Sequence, residues 1–280
     1  MSSEIWNLHT PTGMDDEDWY LPRGRLFIGG GGHGDGFGTG VLNAIPTPEA
    51  PVVYVPSADA NSRANPWGGD RRLLEVGFKN VYTLHTWDRK EADSAEFVKP
   101  MQDAAAVILG GGETYRLTET FVGTRFQEEL HGVLNRGGIV AGASAGAMVM
   151  GSIVIEQPYM RFKGYTEGFG LLRNSIIDVH VLARNLHYNL VDAQREYPDA
   201  LAIGIDERTV IAVDGNWFSV HGESYVVMID AEPQSTQQEC FYFLKDGDGY
   251  DLKGRFPMRK QRATEPFAQC RRREPVEGQE

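Results

Sequence analysis

Between Arg25 and Ser144, short and largely apolar runs recur, several of them leading into glycine. They are "RLFIGGGG" (25–32), "PVVYVPSAD" (51–59), "NVYTLHTW" (80–87), "AAAVILGGG" (104–112) and "IVAGAS" (139–144). A strand with one wet face alternates apolar and polar residues, so an unbroken apolar run calls for cover on both faces. The intervening stretches are long enough to supply it. "RRLLEVGF" (71–78) reads as the end of a helix, and "RFQEELHGVLNRGG" (125–138) carries apolar residues at spacings of three and four. This alternation predicts βαβ units, hence an α/β fold with a mostly parallel, doubly wound sheet and helices on both faces. Beyond residue 200 the pattern changes. "ALAIGIDERTVIAVDGNWFSVHGESYVVMIDAE" (200–232) has short strands with DG and HG turns, which predicts an antiparallel C-terminal extension. We read residues 24–258 as a single α/β domain, preceded by a loose arm (1–23) and followed by a charged, low-apolar tail (259–280).

In a doubly wound sheet, ligands bind where the carboxyl ends of the strands meet their loops. Three glycine-rich loops fall at such ends: "GGGGHGDG" (29–36), "GGGET" (110–114) and "GASAGA" (142–147). The first resembles a nucleotide loop superficially, but it has no Lys-Ser/Thr ending, and no G-x-G-x-x-G helix with a later acidic residue follows. The third matches the G-x-S-x-G nucleophile elbow, a sharp strand-to-helix turn that exposes its serine, Ser144. Small neighbours suit a strained turn where backbones pass closely. The N–H of Ala145, at the start of the next helix, would point at a developing oxyanion, and the glycines of "GGGET" bare further N–H groups for the same purpose. The competing reading is a serine packed in a tight βα turn.

A serine nucleophile needs a base. His180, His187 and His221 follow Ser144 in the chain. His180 ends the apolar "SIID" stretch at the same predicted sheet edge and is the candidate; His187 reads as a helix-face residue and His221 as part of a hairpin turn. His33, in the first glycine loop, is placed as a pocket-lining residue. Ser57, Asp59, Asn61 and Arg63, in the loop after the second strand, are candidate pocket contacts.

The formal net charge of −12 argues against a nucleic-acid partner. No apolar stretch is long enough for a membrane helix, and the acidic N-terminus does not read as a signal peptide. A cytoplasmic setting with two reduced thiols, Cys240 and Cys270, is expected, although one disulfide is possible. No cofactor and no metal are expected, because His33, Asp35, Asp178 and His180 have no metal-ligand spacing.

The stretches "LFIGGGG", "VILGGGETYRL", "GASAGAMVMGS", "IIDVHVLARN", "IGIDERTVIAVDG" and "FLKDGDGYDLKGR", together spanning about residues 24 to 256, resemble the dipeptidase E/cyanophycinase family of serine peptidases, nearer its cyanophycinase branch. The resemblance implies a fold similar to class I glutamine amidotransferase domains, which is flavodoxin-like. It implies Ser144 as nucleophile, His180 as base, and Ala145 with Gly111 or Gly112 as the oxyanion hole. It also implies an orienting acid between serine and histidine; Glu156 is chosen, with Glu167 second. Asp178 belongs to the family's Asp-x-His pattern and shapes the site or binds substrate. Glu113 stands where relatives have Asn, Asp or Gln, and would either face a cationic substrate group or cap the following helix. The expected substrate is a peptide or amino-acid derivative, with cleavage of β-aspartyl-arginine-type bonds, and a homodimer is the suggested assembly. The chain also departs from the pattern. Cyanophycinases read Asp-Gln-His-Phe followed by arginines, whereas Val179 and Val181 stand here, only Arg184 remains of the series, and Leu186 and Asn189 occupy later positions. Lost guanidinium donors would alter the substrate pocket. An aspartyl dipeptidase or a non-catalytic ligand-binding member are the alternatives. An α/β-hydrolase esterase fits poorly, because its histidine sits much farther from the serine.

Overall fold

The computed structural model describes Leu21 and residues 23–32, 36–61, 68–157, 161–231 and 239–258. Most of the expected N-terminal arm, the whole expected tail, His33, Asp35, Arg63 and Cys270 lie outside the described residues.

The first half of the chain builds the βαβ layers that the apolar runs predict. In order it contains β1 (Arg25–Gly29), α1 (Gly36–Ala44), β2 (Val52–Val55), α2 (Gly68–Val76), β3 (Val81–Thr83), α3 (Arg89–Ala92), α4 (Ala95–Val98), β4 (Ala106–Leu109), α5 (Thr114–Phe121), α6 (Arg125–Asn135), β5 (Ile139–Ala143) and α7 (Ala145–Met148). Strands β1, β5, β4, β2 and β3 lie side by side in that order, and all are parallel. Their side chains divide by parity, as a period of two requires. Phe27, Val52, Ala106, Ile108, Ile139 and Ala141 pack with Val41 of α1 and Leu73 of α2. Leu26, Ile28, Val53, Val55, Val107, Leu109 and Val140 pack on the opposite face with Leu117 and Phe121 of α5 and Phe126 and Leu130 of α6. Burying each such side chain contributes roughly 1.5–3 kcal/mol, so both faces need the cover that the helices give. β3 is shorter than the predicted 80–87 run. Beyond it Thr86 is engaged in the next turn, giving its hydroxyl to Glu91 and taking the N–H of Asp88.

The second half departs from the expected simple extension. It comprises β6 (Ile153–Glu156), β7 (Gly164–Glu167), β8 (Ser175–Val179), α8 (His187–Glu196), β9 (Leu201–Ile205), β10 (Thr209–Asp214), β11 (Trp217–Gly222), β12 (Tyr225–Ala231), β13 (Glu239–Lys245), β14 (Gly249–Asp251) and β15 (Phe256–Met258). Strands β10, β11, β14 and β15 continue the first sheet beyond β1 in antiparallel fashion, which makes it nine-stranded. The other six form a second sheet, β13-β12-β9-β8-β6-β7, parallel at its β9-β8-β6 centre and antiparallel at both margins. Consecutive strands β9 and β10 therefore belong to different sheets, as do β11 and β12. β9 and β10 are buried along their whole length. A strand covered on both faces carries no pattern that says which sheet it joins, so the hairpin reading of 200–232 had no means of showing the split.

The two sheets share one core: Ile176, Ile177, Ile203 and Met228 of the second belong to the same buried cluster as Ile28 and Val140 of the first. His221, expected in a turn, lies within β11, where its Nε2 meets the Ser219 hydroxyl at 2.7 Å. Among the described residues, no helix is long and apolar enough to cross a membrane.

Candidate active site

The chain turns sharply as β5 gives way to α7, and Ser144 sits on the turn with φ 54° and ψ −120°. A non-glycine residue there carries strain of order 1–3 kcal/mol and persists only where its surroundings fix it. The Ser144 N–H donates to Gly29 O at 3.0 Å, and its carbonyl accepts from the N–H groups of Ala147 (2.9 Å) and Met148 (3.1 Å). The flanking glycines are needed for space. A Cβ on Gly142 would stand 2.2 Å from the carbonyl oxygen of Gly146, and one on Gly146 would stand 2.4 Å from that of Leu109. The small residues around the serine thus let β5, α7 and β4 approach closely while the hydroxyl stays half-exposed.

From that hydroxyl runs a chain of two hydrogen bonds. Ser144 Oγ lies 2.9 Å from His180 Nε2, and His180 Nδ1 lies 2.7 Å from Glu207 Oε1. A carboxylate on Nδ1 accepts a hydrogen bond from its N–H, which keeps the proton on Nδ1 and leaves the Nε2 lone pair facing the serine; this tautomer follows from the hydrogen-bond network. Burial lowers the His180 pKa below its usual value, and the Glu207 hydrogen bond offsets only part of that. The imidazole is therefore neutral at neutral pH and able to take a proton. The three groups come from separate elements: Ser144 from the end of β5, His180 from the end of β8, and Glu207 from the three-residue crossover between β9 and β10. The first glycine loop forms the bed beneath them. A Cβ on Gly31 would lie 2.4 Å from His180 Cε1, so the loop packs against the imidazole rather than cradling a nucleotide.

Of the two expected oxyanion glycines, Gly111 faces the serine: a Cβ there would lie 3.2 Å from Ser144 Cβ. Its N–H is not engaged by any backbone carbonyl of the described residues. At Gly112 a Cβ would stand 2.2 Å from the carbonyl oxygen of Ala58. Ala145 follows the serine directly, at a helix position whose N–H has no intrahelical acceptor. Gly111 and Ala143 also border a cavity of about 830 Å³ that extends past Tyr54 to Arg208 and His221, within the size range of small-ligand sites.

Glu156 does not meet the histidine. It is buried on β6, its Oε1 accepts from the Thr118 hydroxyl at 2.8 Å, and burial raises its pKa. Glu167 lies at the exposed end of β7. The acid on His180 comes later in the chain than the histidine, not between serine and histidine as expected. The signal for it was the charged "DER" (206–208) interrupting two fully apolar runs. Glu113 precedes α5 and makes no side-chain cap hydrogen bond to it. Ser57 is buried with its hydroxyl 2.9 Å from His85 Nδ1, whereas Asp59 turns its carboxylate to the N–H of Asn61. Val179 and Val181, which depart from the family pattern, are buried in the shared core. Arg184 is exposed, 3.9 Å from Glu207 Oε1. Sequence reading also passed over Arg116 on α5, whose guanidinium lies 5.0 Å from the ring centroid of Trp87 and 5.2 Å from that of Tyr115. Its Nε is buried without a hydrogen-bond partner among the described residues.

Asp178, expected to shape the site or to bind substrate, is 1% exposed and sits two residues before His180 at the end of β8. It accepts the N–H of Val179 at 2.9 Å and a long 3.4 Å bond from Asn189. Burial raises its pKa from 3.8 to about 6. Between those values the folded chain holds more proton than the unfolded one, so this group's contribution to stability falls as pH rises through the window. Above the window its charge costs roughly 3 kcal/mol. Asp178→Asn is accordingly expected to raise the melting temperature by several degrees near pH 7.5 and to change it little near pH 4. Equal shifts at both pH values, followed by thermal denaturation, would show that the buried charge is not the cause.

An α/β chain with this topology has the fold of known peptidases. The structure of a peptidase from an acI-B1 Actinobacterium superposes with a TM-score of 0.65 at 25% identity, covering 82% of this chain and 97% of that one. A putative peptidase E from Listeria monocytogenes EGD-e superposes with a TM-score of 0.53 at 16% identity, covering 72% and 99%, a likeness of fold alone. The chain belongs to peptidase family S51, whose model matches residues 29–221. Among curated relatives, the cyanophycinase of Nostoc sp. is 31% identical over 227 residues, covering 73% of this chain and 76% of its own. That of Synechococcus elongatus is 29% identical over 228 residues, covering 73% and 70%.

Proposed function

We propose that this peptidase is a serine-type exopeptidase working through an acyl-enzyme. The observation that carries the reading is the hydrogen-bonded series Ser144–His180–Glu207 ending on a strained elbow. His180 Nε2 takes the Oγ proton as Oγ bonds to the scissile carbonyl carbon. The carbonyl oxygen, now an anion, is held by the N–H groups of Ala145 and Gly111. As the tetrahedral adduct collapses, the C–N bond breaks and His180 gives its proton to the departing amine. A water then attacks the ester carbonyl, His180 takes its proton, and the acid leaves as Oγ recovers the proton. Glu207 holds the imidazole in its tautomer and stabilises the imidazolium formed in each half.

The substrate class follows from the cyanophycinase relatives and the local chemistry: a β-aspartyl-arginine-type peptide or a close analogue. Glu113, at the N-cap of α5 and next to Gly112, places a carboxylate after the oxyanion loop, which suits a substrate with a cationic group. An aspartyl-dipeptidase activity on short peptides is the second reading, favoured by the survival of Arg184 alone from the arginine series. The parallel unit of five strands, with the nucleophile after β5 between β1 and β4, supports kinship with class I glutamine amidotransferase domains, and the shared core supports treating residues 24–258 as one unit. A cytoplasmic homodimer is the setting that the acidic composition and the resemblance favour.

Hydrolysis of a panel tests the substrate: multi-arginyl-poly-aspartate, β-Asp-Arg, α-Asp-X dipeptides and glutamyl amides. Release of β-Asp-Arg from the polymer is the expected result. Turnover of α-Asp-X alone would move the protein to the dipeptidase reading, and no turnover of any member would count against both.

A further inference from the structure

Asp206 stands next to Glu207 in the crossover but points elsewhere. It is 6% exposed, and each of its oxygens has a defined partner. Oδ1 accepts the N–H groups of Leu182 (3.0 Å) and Ala183 (2.9 Å), and Oδ2 accepts the Ser224 hydroxyl at 2.6 Å. Leu182 and Ala183 lie in the turn that begins at His180, and Ser224 lies between β11 and β12. One carboxylate therefore joins three segments: the turn with the base, the crossover with the acid, and the loop between β11 and β12 where the chain changes sheet again.

His180 needs such support. Its φ is 55°, a left-handed conformation that is uncommon outside glycine and costs free energy. Its own N–H makes only a 3.2 Å bond to Gly30 O, and the turn closes through the Arg184 N–H to His180 O at 2.9 Å. The first N–H groups of that turn have no partner within it, and Asp206 supplies one from outside, as a capping side chain does for a helix. Burial works to raise the Asp206 pKa, but the Ser224 hydroxyl and the backbone N–H groups outweigh it, so the carboxyl titrates below its usual value and is ionised at neutral pH. Charge-assisted bonds of this kind are stronger than neutral ones.

We propose that Asp206, braced by Ser224, is a positioning residue: by gripping the turn 180–184 from the neighbouring crossover it sets His180 Nε2 at hydrogen-bond distance from Ser144 Oγ. The proposal rests on the serine-peptidase reading of the site. It concerns geometry rather than charge, and the two separate experimentally. Asp206→Asn keeps an oxygen for both N–H groups and presents an amide N–H to the Ser224 oxygen, so the grip survives without the charge. Asp206→Ala removes both.

The test is the rate of covalent labelling by an alkyl fluorophosphonate, which needs an ionisable serine but no knowledge of the peptide substrate. A displacement of the base by about 1 Å can cost roughly a hundredfold. Asp206→Ala is expected to lower the maximal labelling rate about 100-fold while the half-saturating probe concentration stays within about threefold. Asp206→Asn should recover to within about tenfold of the parent, and Ser224→Ala should fall between. If Asp206→Ala fails to fold, the Asn and Ser224→Ala variants decide alone: a parental rate for Ser224→Ala together with an Asn variant slowed 100-fold overturns the proposal. A folded Asp206→Ala that labels at the parental rate also overturns it. If the parent itself does not label, the serine reading fails and takes this proposal with it, an outcome distinct from the other two.

Discussion

Ser144→Ala should lower peptide hydrolysis by about 10⁴-fold or more and abolish labelling by a fluorophosphonate, while the melting temperature stays close to that of the parent. The expected loss is large because the hydroxyl is the bond-forming atom. What remains without it is binding and oxyanion stabilisation, which in serine hydrolases sustain only a residual rate over water. The fold should survive because the strain at residue 144 is a backbone matter. Ala and Ser face the same penalty at φ 54°, and the bonds that hold the elbow, from Gly29, Ala147 and Met148, involve the main chain only. A variant that still hydrolyses the panel at more than a few per cent of the parental rate would exclude Ser144 as nucleophile. A variant that does not fold would show that the hydroxyl is structural.

The second large effect concerns the acid. Glu207→Gln is expected to reduce kcat by about 10²–10⁴-fold, because an amide can present N–H to Nδ1, favour the wrong tautomer and leave the imidazolium uncompensated. Glu156→Gln should change kcat by no more than about threefold, since its carboxyl is engaged with Thr118. The pH profile carries an independent sign. The base must be neutral, so kcat/KM holds steady at high pH and falls as pH drops through the His180 pKa. Burial puts that fall below the ordinary histidine value of 6.5. The Glu207 bond raises the His180 pKa, so Glu207→Gln should move the acid limb to still lower pH. Loss of activity in Glu156→Gln with retention in Glu207→Gln would reverse the assignment.

The parallel strands were legible because each had to be covered on both faces, and the apolar runs around Phe27, Val53, Ile108 and Val140 state that requirement directly. Ser144 was legible for a related reason: only a crowded turn has use for glycine at 142 and again at 146. His180 followed from its place after an apolar strand. Glu207 did not, because its partner is set by the crossing from one sheet to the other, and β9 and β10 read alike as buried strands. The second sheet was hidden by the same property. For Asp178 the Asp-x-His pattern left open whether it shapes the site or binds substrate, and its burial was not legible because that depends on which side the strand turns inward.

The seam between the sheets bears on how the protein comes to be made. A chain emerging from the ribosome completes its serine, elbow and oxyanion glycines first, then its histidine, and only later the carboxylate that orients it. The series Ser144–His180–Glu207 is complete only once residue 207 has been synthesised and packed against the glycine loop laid down near the start. The last part of the site to be synthesised is thus also the link between the two sheets, since residue 207 lies in the crossover from β9 to β10.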